Sequence, residues 1–115
     1  MPADKGRQKI FSRSLSVTKR YKVNLTQLAQ KDLEQIYYYI AADSIKNARN
    51  FVLELEKKIY SLDTFSERHP LIAENEFFAT DYRHLIYKKY RVIYRISEKE
   101  VFILRVIHGA ILLEV

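Results

Sequence analysis

Between residues 33 and 62 the apolar positions recur at helical spacing, and beyond residue 82 the spacing changes to alternation. Leu33, Ile36, Tyr37 and Ile40 share one helical face, and Ala48, Val52, Leu55, Ile59 and Leu62 repeat every three or four residues, the clearest periodicity in the chain. Asn24 or Thr26 is placed to cap a helix starting near Gln27, and Asp43 or Ser44 to cap a second. Two amphipathic helices so closely spaced form an antiparallel hairpin that needs a further apolar surface to cover it. Ahead of the hairpin, YKVNL at 21–25 alternates and predicts a short strand. Pro70 closes the helical region, and SERHPLIAENEFFATD at 66–81 reads as a loop without a period of its own.

The last third supplies the missing surface. It predicts strands over about 82–87, 90–97 and 100–108, joined by two-residue turns at Lys88-Lys89 and Glu98-Lys99. Strict alternation through both turns sorts the side chains into two faces. One carries Arg83, Leu85, Tyr87, Tyr90, Val92, Tyr94, Ile96, Val101, Ile103, Arg105 and Ile107, mostly aliphatic and tyrosine, and suits the helices. The other carries Tyr82, His84, Ile86, Lys89, Arg91, Ile93, Arg95, Phe102, Leu104, Val106 and His108, and is expected to be the open, cationic face. The fold class is therefore α+β: a short N-terminal strand, then an antiparallel helical hairpin packed on a C-terminal antiparallel β-meander.

Charge sharpens this picture. Residues 1–22 hold seven basic residues against Asp4, residues 23–81 six bases against ten acids, and residues 82–115 seven bases against three acids. Such segregation steers a polyanion toward one face, although a solvated charged surface explains it as well. Residues 1–20 are expected to be a flexible basic arm ahead of a domain at 21–115; their acid-poor, Arg/Ser-rich make-up also has the look of a transit peptide. The chain has no cysteine and three dispersed histidines, which excludes disulfides and thiol catalysis and argues against a metal site; no cofactor is expected. No apolar run approaches the roughly 20 residues of a membrane span, and a cytoplasmic location is expected.

The segments AQKDLEQIYYYI at 29–40, SLDTFSERHP at 61–70, YRVIYRI at 90–96 and VFILRVIHGA at 101–110 resemble, in order and spacing, the RelE/ParE family of toxins from type II toxin–antitoxin modules. The resemblance covers about 21–110 and implies a cognate antitoxin, hence a hetero-oligomeric complex. It also implies one of two activities: ribosome-dependent, metal-independent cleavage of mRNA, as in RelE-like members, or poisoning of DNA gyrase without nuclease chemistry, as in ParE-like members. For cleavage, Arg91 matches the arginine that contacts the scissile phosphate, and His84 and His108 are the candidates for proton transfer. Arg83, Lys88, Lys89, Arg91, Arg95, Arg105, Tyr82 and Tyr94 are the candidates for contacting nucleic acid or another target, with Tyr82 or Tyr94 stacking on a base. The apolar stretch ILLEV at 111–115 stands where RelE-like members carry further basic and tyrosyl groups, which counts against cleavage, and His-Gly-Ala at 108–110, commoner among ParE-like members, tilts the expectation toward the ParE-like branch. A different class remains open beside both: a non-toxic basic module that binds nucleic acid or protein, such as a decayed toxin.

Overall fold

Thr26 marks where the first strand gives way to the first helix. Its Oγ1 accepts from the Ala29 amide at 3.2 Å as an N-cap and donates to the Ile103 carbonyl at 2.7 Å, so one hydroxyl starts the helix and ties it to the last strand. The structure, a computed structural model, describes residues 20–113. In chain order it contains β1 (Lys22–Leu25), α1 (Gln27–Ala41), α2 (Ile45–Tyr60), two 3-10 turns (Ser61–Asp63 and Ser66–Arg68), a single-turn α3 (Asn75–Phe78), β2 (Arg83–Tyr87), β3 (Tyr90–Ser97) and β4 (Glu100–His108). Ser44 caps α2 by accepting from the Asn47 amide at 3.1 Å.

The expected α+β architecture is present. One sheet has the order β1-β4-β3-β2, with β1 parallel to β4 and the other pairs antiparallel. The hairpin packs on one side of it. Leu33 and Ile36 of α1 and Leu55, Ile59 and Leu62 from α2 and the turn after it meet Leu85, Val92, Tyr94, Val101, Ile103 and Val106 of the sheet. Ala29 joins this core, Ala48 is fully buried, Ile40 is half-buried against the core, and Val52 and Tyr37 are half-buried. Both predicted turns form, closing on the pairs Tyr87–Tyr90 and Ser97–Glu100. Lys88 and Glu98 adopt left-handed backbone, with φ of 53° and 55°, in place of the usual glycine or asparagine.

Two features depart from strict alternation. First, the β3–β4 register shifts: Ile93 lies opposite Arg105 while Tyr94 lies opposite Ile103, which leaves Leu104 as an extra residue in a β-bulge. Beyond the bulge the faces exchange. Val106 points into the helix-side core and His108 sits opposite Tyr90 on that side, whereas Ile107 sits opposite Arg91 and faces away from the helices. Second, the face expected to be open is partly covered. Ile72 from the 66–81 segment and Leu113 from the tail pack on Ile93 and Ile107 as a second small core, flanked by Tyr82 and Leu104.

Candidate functional site

Arg91 lies beneath this cover instead of on an open face, and it is only 6% exposed. Its guanidinium meets the Glu74 carboxylate in a two-pronged ion pair, Nη1 donating to Oε1 at 3.2 Å and Nη2 to Oε2. Nη2 also donates to the Ile111 carbonyl at 2.7 Å. Glu74, equally buried, accepts from the Leu113 amide at 3.0 Å. The hydrogen bond from Arg91 outweighs the opposing effect of burial and lowers the Glu74 pKa to about 2. Two buried charges therefore neutralise each other, and together they fasten the tail to the sheet.

His84 lies on the same face as Arg91, opposite Ile93 in the register, and its amide donates to the Pro70 carbonyl at 3.1 Å. Burial first, and then the Arg91 cation, push its pKa below the ordinary value, so the ring is neutral at pH 7. Its Nδ1 is buried without a hydrogen-bond partner, as is Nε of Arg91. His108 lies across the sheet. It is exposed, its Nδ1 accepts from the Ala110 amide at 3.2 Å, and its ring stands edge-on to Tyr90 with centroids 5.8 Å apart. The three candidates for RNA chemistry are thus divided between two faces by the bulge at Leu104.

The remaining candidates are also dispersed. Tyr94 is fully buried, its hydroxyl donates to the Ser66 carbonyl, and burial raises its pKa, so its ring has no face to offer a base. The Tyr82 backbone is held by the Asn75 side chain at 3.0 Å and 2.8 Å. Arg83 donates to the His69 carbonyl at 2.6 Å. Arg105 grips Asp32 of α1 through Nε at 2.8 Å and Nη2 at 3.0 Å, while Asp32 also accepts from the Val106 amide at 2.8 Å. Arg95 is half-buried over the Phe102 ring, 4.5 Å from its centroid. Lys88 and Lys89 are exposed at the β2–β3 turn. A cleft of about 350 Å³ runs between α1 and the end of β4, with Asp32, Gln35, Tyr39, Tyr90 and His108 on its walls. Among the described residues, no group of three His, Cys, Asp or Glu is placed to hold a metal ion, and no helix is long and apolar enough to cross a membrane.

Residues 23–113 match the family described as "ParE toxin of type II toxin-antitoxin system, parDE". The chain belongs to the ParE toxin family. Its fold is that of the chromosomal ParDE toxin–antitoxin system from P. aeruginosa, with a TM-score of 0.65 at 21% identity over 77% of this chain and 96% of that one. It is also similar to a chain of the RelBE2 toxin–antitoxin complex from Mycobacterium tuberculosis, with a TM-score of 0.50 at 26% identity over 78% of this chain and 92% of that one. No curated protein matches the sequence.

In this ParE-family chain the acidic partners are the residues the sequence left unmarked. Glu74 lies in a segment without periodicity, and only the fold brings it to Arg91, 17 residues away. Asp32 could have been noticed. It stands on the apolar face of α1, one residue before Leu33, where an unpaired carboxylate is costly and a buried partner is required.

Proposed function

We propose that this ParE-family chain is the toxin of a type II toxin–antitoxin module, that it arrests growth in the cytoplasm by binding DNA gyrase without cutting RNA, and that a cognate antitoxin silences it. One observation carries the choice against RNA cleavage: the Arg91 guanidinium is already engaged, in a buried site, by Glu74 and the Ile111 carbonyl. To reach a scissile phosphate it must leave a carboxylate buried and unpaired, which costs about 3–5 kcal/mol before any stabilisation of a transition state begins. A general acid and base must also stand within hydrogen-bond reach of the reacting atoms. His84 and His108 lie on opposite faces of the sheet, so one phosphate cannot be served by both without rebuilding β4. The antitoxin partner is supported by the family itself and by the two similar structures, both of which come from toxin–antitoxin systems.

The test pairs a supercoiling assay on purified gyrase with primer extension on translated messages. Inhibition of gyrase with no codon-linked cuts is the expected result. Codon-linked cuts without an effect on supercoiling overturn the reading, and absence of growth arrest on induction in bacteria leaves the non-toxic binding module in its place.

A further inference from the structure

On the sheet face turned away from the helices, two buried nitrogens are left without a hydrogen-bond partner, Nδ1 of His84 and Nε of Arg91. The register makes their residues diagonal neighbours: Ile86 stands directly opposite Arg91, and His84 lies two residues before Ile86 on the same face. A long side chain reaches across such a diagonal. Arg91 Nε always carries its hydrogen, so the form of His84 that fits beside it is the neutral ring, with its hydrogen on Nε2 and a lone pair on Nδ1. A lone pair turned toward a guanidinium is favoured by the charge. A second N–H there is not.

Protonation reverses this fit, because both nitrogens of an imidazolium are donors. Around the ring, Arg91 on β3 and His69 ahead of Pro70 oppose a positive charge, and Glu74 is the carboxylate that favours one. Glu74 is already occupied: Oε1 accepts from Arg91, and Oε2 accepts from Arg91 and from the Leu113 amide. A charged His84 gains an acceptor only by drawing Glu74 away from the groups that hold the tail. We propose that His84 is a proton-sensitive latch on the C-terminal tail: when its ring takes up a proton, the Leu113 amide parts from Glu74 and the Ile111 carbonyl from Arg91, and residues 111–113 lift from the sheet while the hairpin and meander stay folded. The effect reaches the far side of the sheet, since the Ile111 side chain lines the cleft that also holds Tyr39, Tyr90 and His108, and release takes away part of its wall. With the tail in place, burial and then Arg91 keep the ring's pKa below its ordinary value; with the tail released the ring returns toward the ordinary value of about 6.5. The released form therefore binds the proton more tightly. The tail is held above about pH 6.5 and loosens as pH falls below it, well before Glu74 protonates at about 2.

The test follows the full-length protein by NMR between pH 7.5 and pH 5. Ring nitrogen shifts of His84 give its tautomer and its titration. Hydrogen exchange at the Leu113 amide, corrected for the intrinsic rate at each pH, reports the tail, and exchange at the Leu55 and Val92 amides reports the hairpin and the sheet. The expected result is a neutral ring with its hydrogen on Nε2 at pH 7.5, and protection at Leu113 that falls roughly tenfold or more by pH 5, since uptake of one proton shifts such an equilibrium by up to about tenfold per pH unit. Leu55 and Val92 are expected to keep their protection. In His84→Phe and His84→Gln, which cannot take the proton, protection at Leu113 is expected to stay level across the range. Level protection in the parent overturns the latch, and so does a ring hydrogen on Nδ1 at pH 7.5 or a fall in both His84 variants equal to that of the parent. Should neither variant fold, the parent decides alone: a fall at Leu113 whose midpoint follows the His84 ring supports the latch, and one with a different midpoint, or one shared equally by Leu55 and Val92, overturns it.

Discussion

Replacing Arg91 by alanine tests the physical basis of the site most directly. At an exposed strand position the change would cost under about 1 kcal/mol. Here it removes two bonds to Glu74 and one to the Ile111 carbonyl, and it leaves a carboxylate that is only 5% exposed with no cation beside it. Breaking such a pair from one side costs about 3–5 kcal/mol, a large part of the roughly 5–15 kcal/mol that holds a small domain together. At about 4–8 °C per kcal/mol the expected fall in melting temperature is roughly 12–40 °C. The dependence on pH provides the sharper check. In the parent, Glu74 has a folded pKa of about 2, below the roughly 4.3 of an unfolded glutamate. A depressed carboxylate contributes stability that is fully present above the unfolded value and lost as pH falls toward the folded one; the shift corresponds to about 3 kcal/mol. Without Arg91 the buried carboxyl takes up a proton above the ordinary carboxylate range, so the gap between variant and parent should be widest at pH 7 and should narrow as pH falls, first as the variant's carboxyl protonates and then, from about pH 4 down to 2, as the parent's does. Urea or thermal denaturation followed by circular dichroism at pH 7 and pH 3 measures this. A variant melting within a few degrees of the parent at pH 7, or an equal gap at both pH values, would refute the argument. Loss of growth arrest in Arg91→Ala therefore reports on folding, and says nothing about a phosphate contact.

Three further outcomes are expected. Leu55→Asp should abolish the cooperative melt, because it puts a carboxylate at a fully buried position, whereas Val52→Asp, at a half-buried position, should leave a folded but weakened protein; circular dichroism separates them. His108→Ala should shift stability by no more than about 0.5 kcal/mol and leave growth arrest unchanged, and an RNA-cleavage defect on the order of a hundredfold in this variant would contradict the proposed mechanism. A chain beginning at Arg20 should fold as the full chain does, since it keeps the Arg20–Asp63 ion pair at 2.9 Å and the buried Tyr21, while one beginning at Lys22 should melt lower.

The hairpin and meander were legible because each buries one face, and a buried face leaves a period in the sequence. Leu33, Ile36, Leu55 and Ile59 announced themselves in this way, as did the two-residue turns between strands of matching pattern. The site was much less legible. One residue, Leu104, inserted into β4 reverses everything after it, and no composition rule marks a bulge in VFILRVIH. The expectation for His108 failed there. Arg91 is hidden for a different reason. Its position on a strand face was correct, but a loop and a tail without periodicity fold over that face, and only tertiary structure brings them there. The basic arm at 1–20 lies almost wholly outside the described residues, apart from Arg20.

The parallel pairing of the first strand with the last has a consequence for how the protein is born. β1 is an edge strand whose neighbour is β4, so Lys22 pairs with Glu100 and Leu25 with Ile103. Thr26 and Asp32, at the start and on the buried face of α1, likewise find their partners in Ile103, Arg105 and Val106. On the ribosome the helical hairpin can form from local contacts as it emerges, but the sheet that defines the domain lacks one of its two interior strands until β4 has cleared the exit tunnel. β1 therefore waits without its neighbour until residues 100–108 have been made, and the domain cannot close before then.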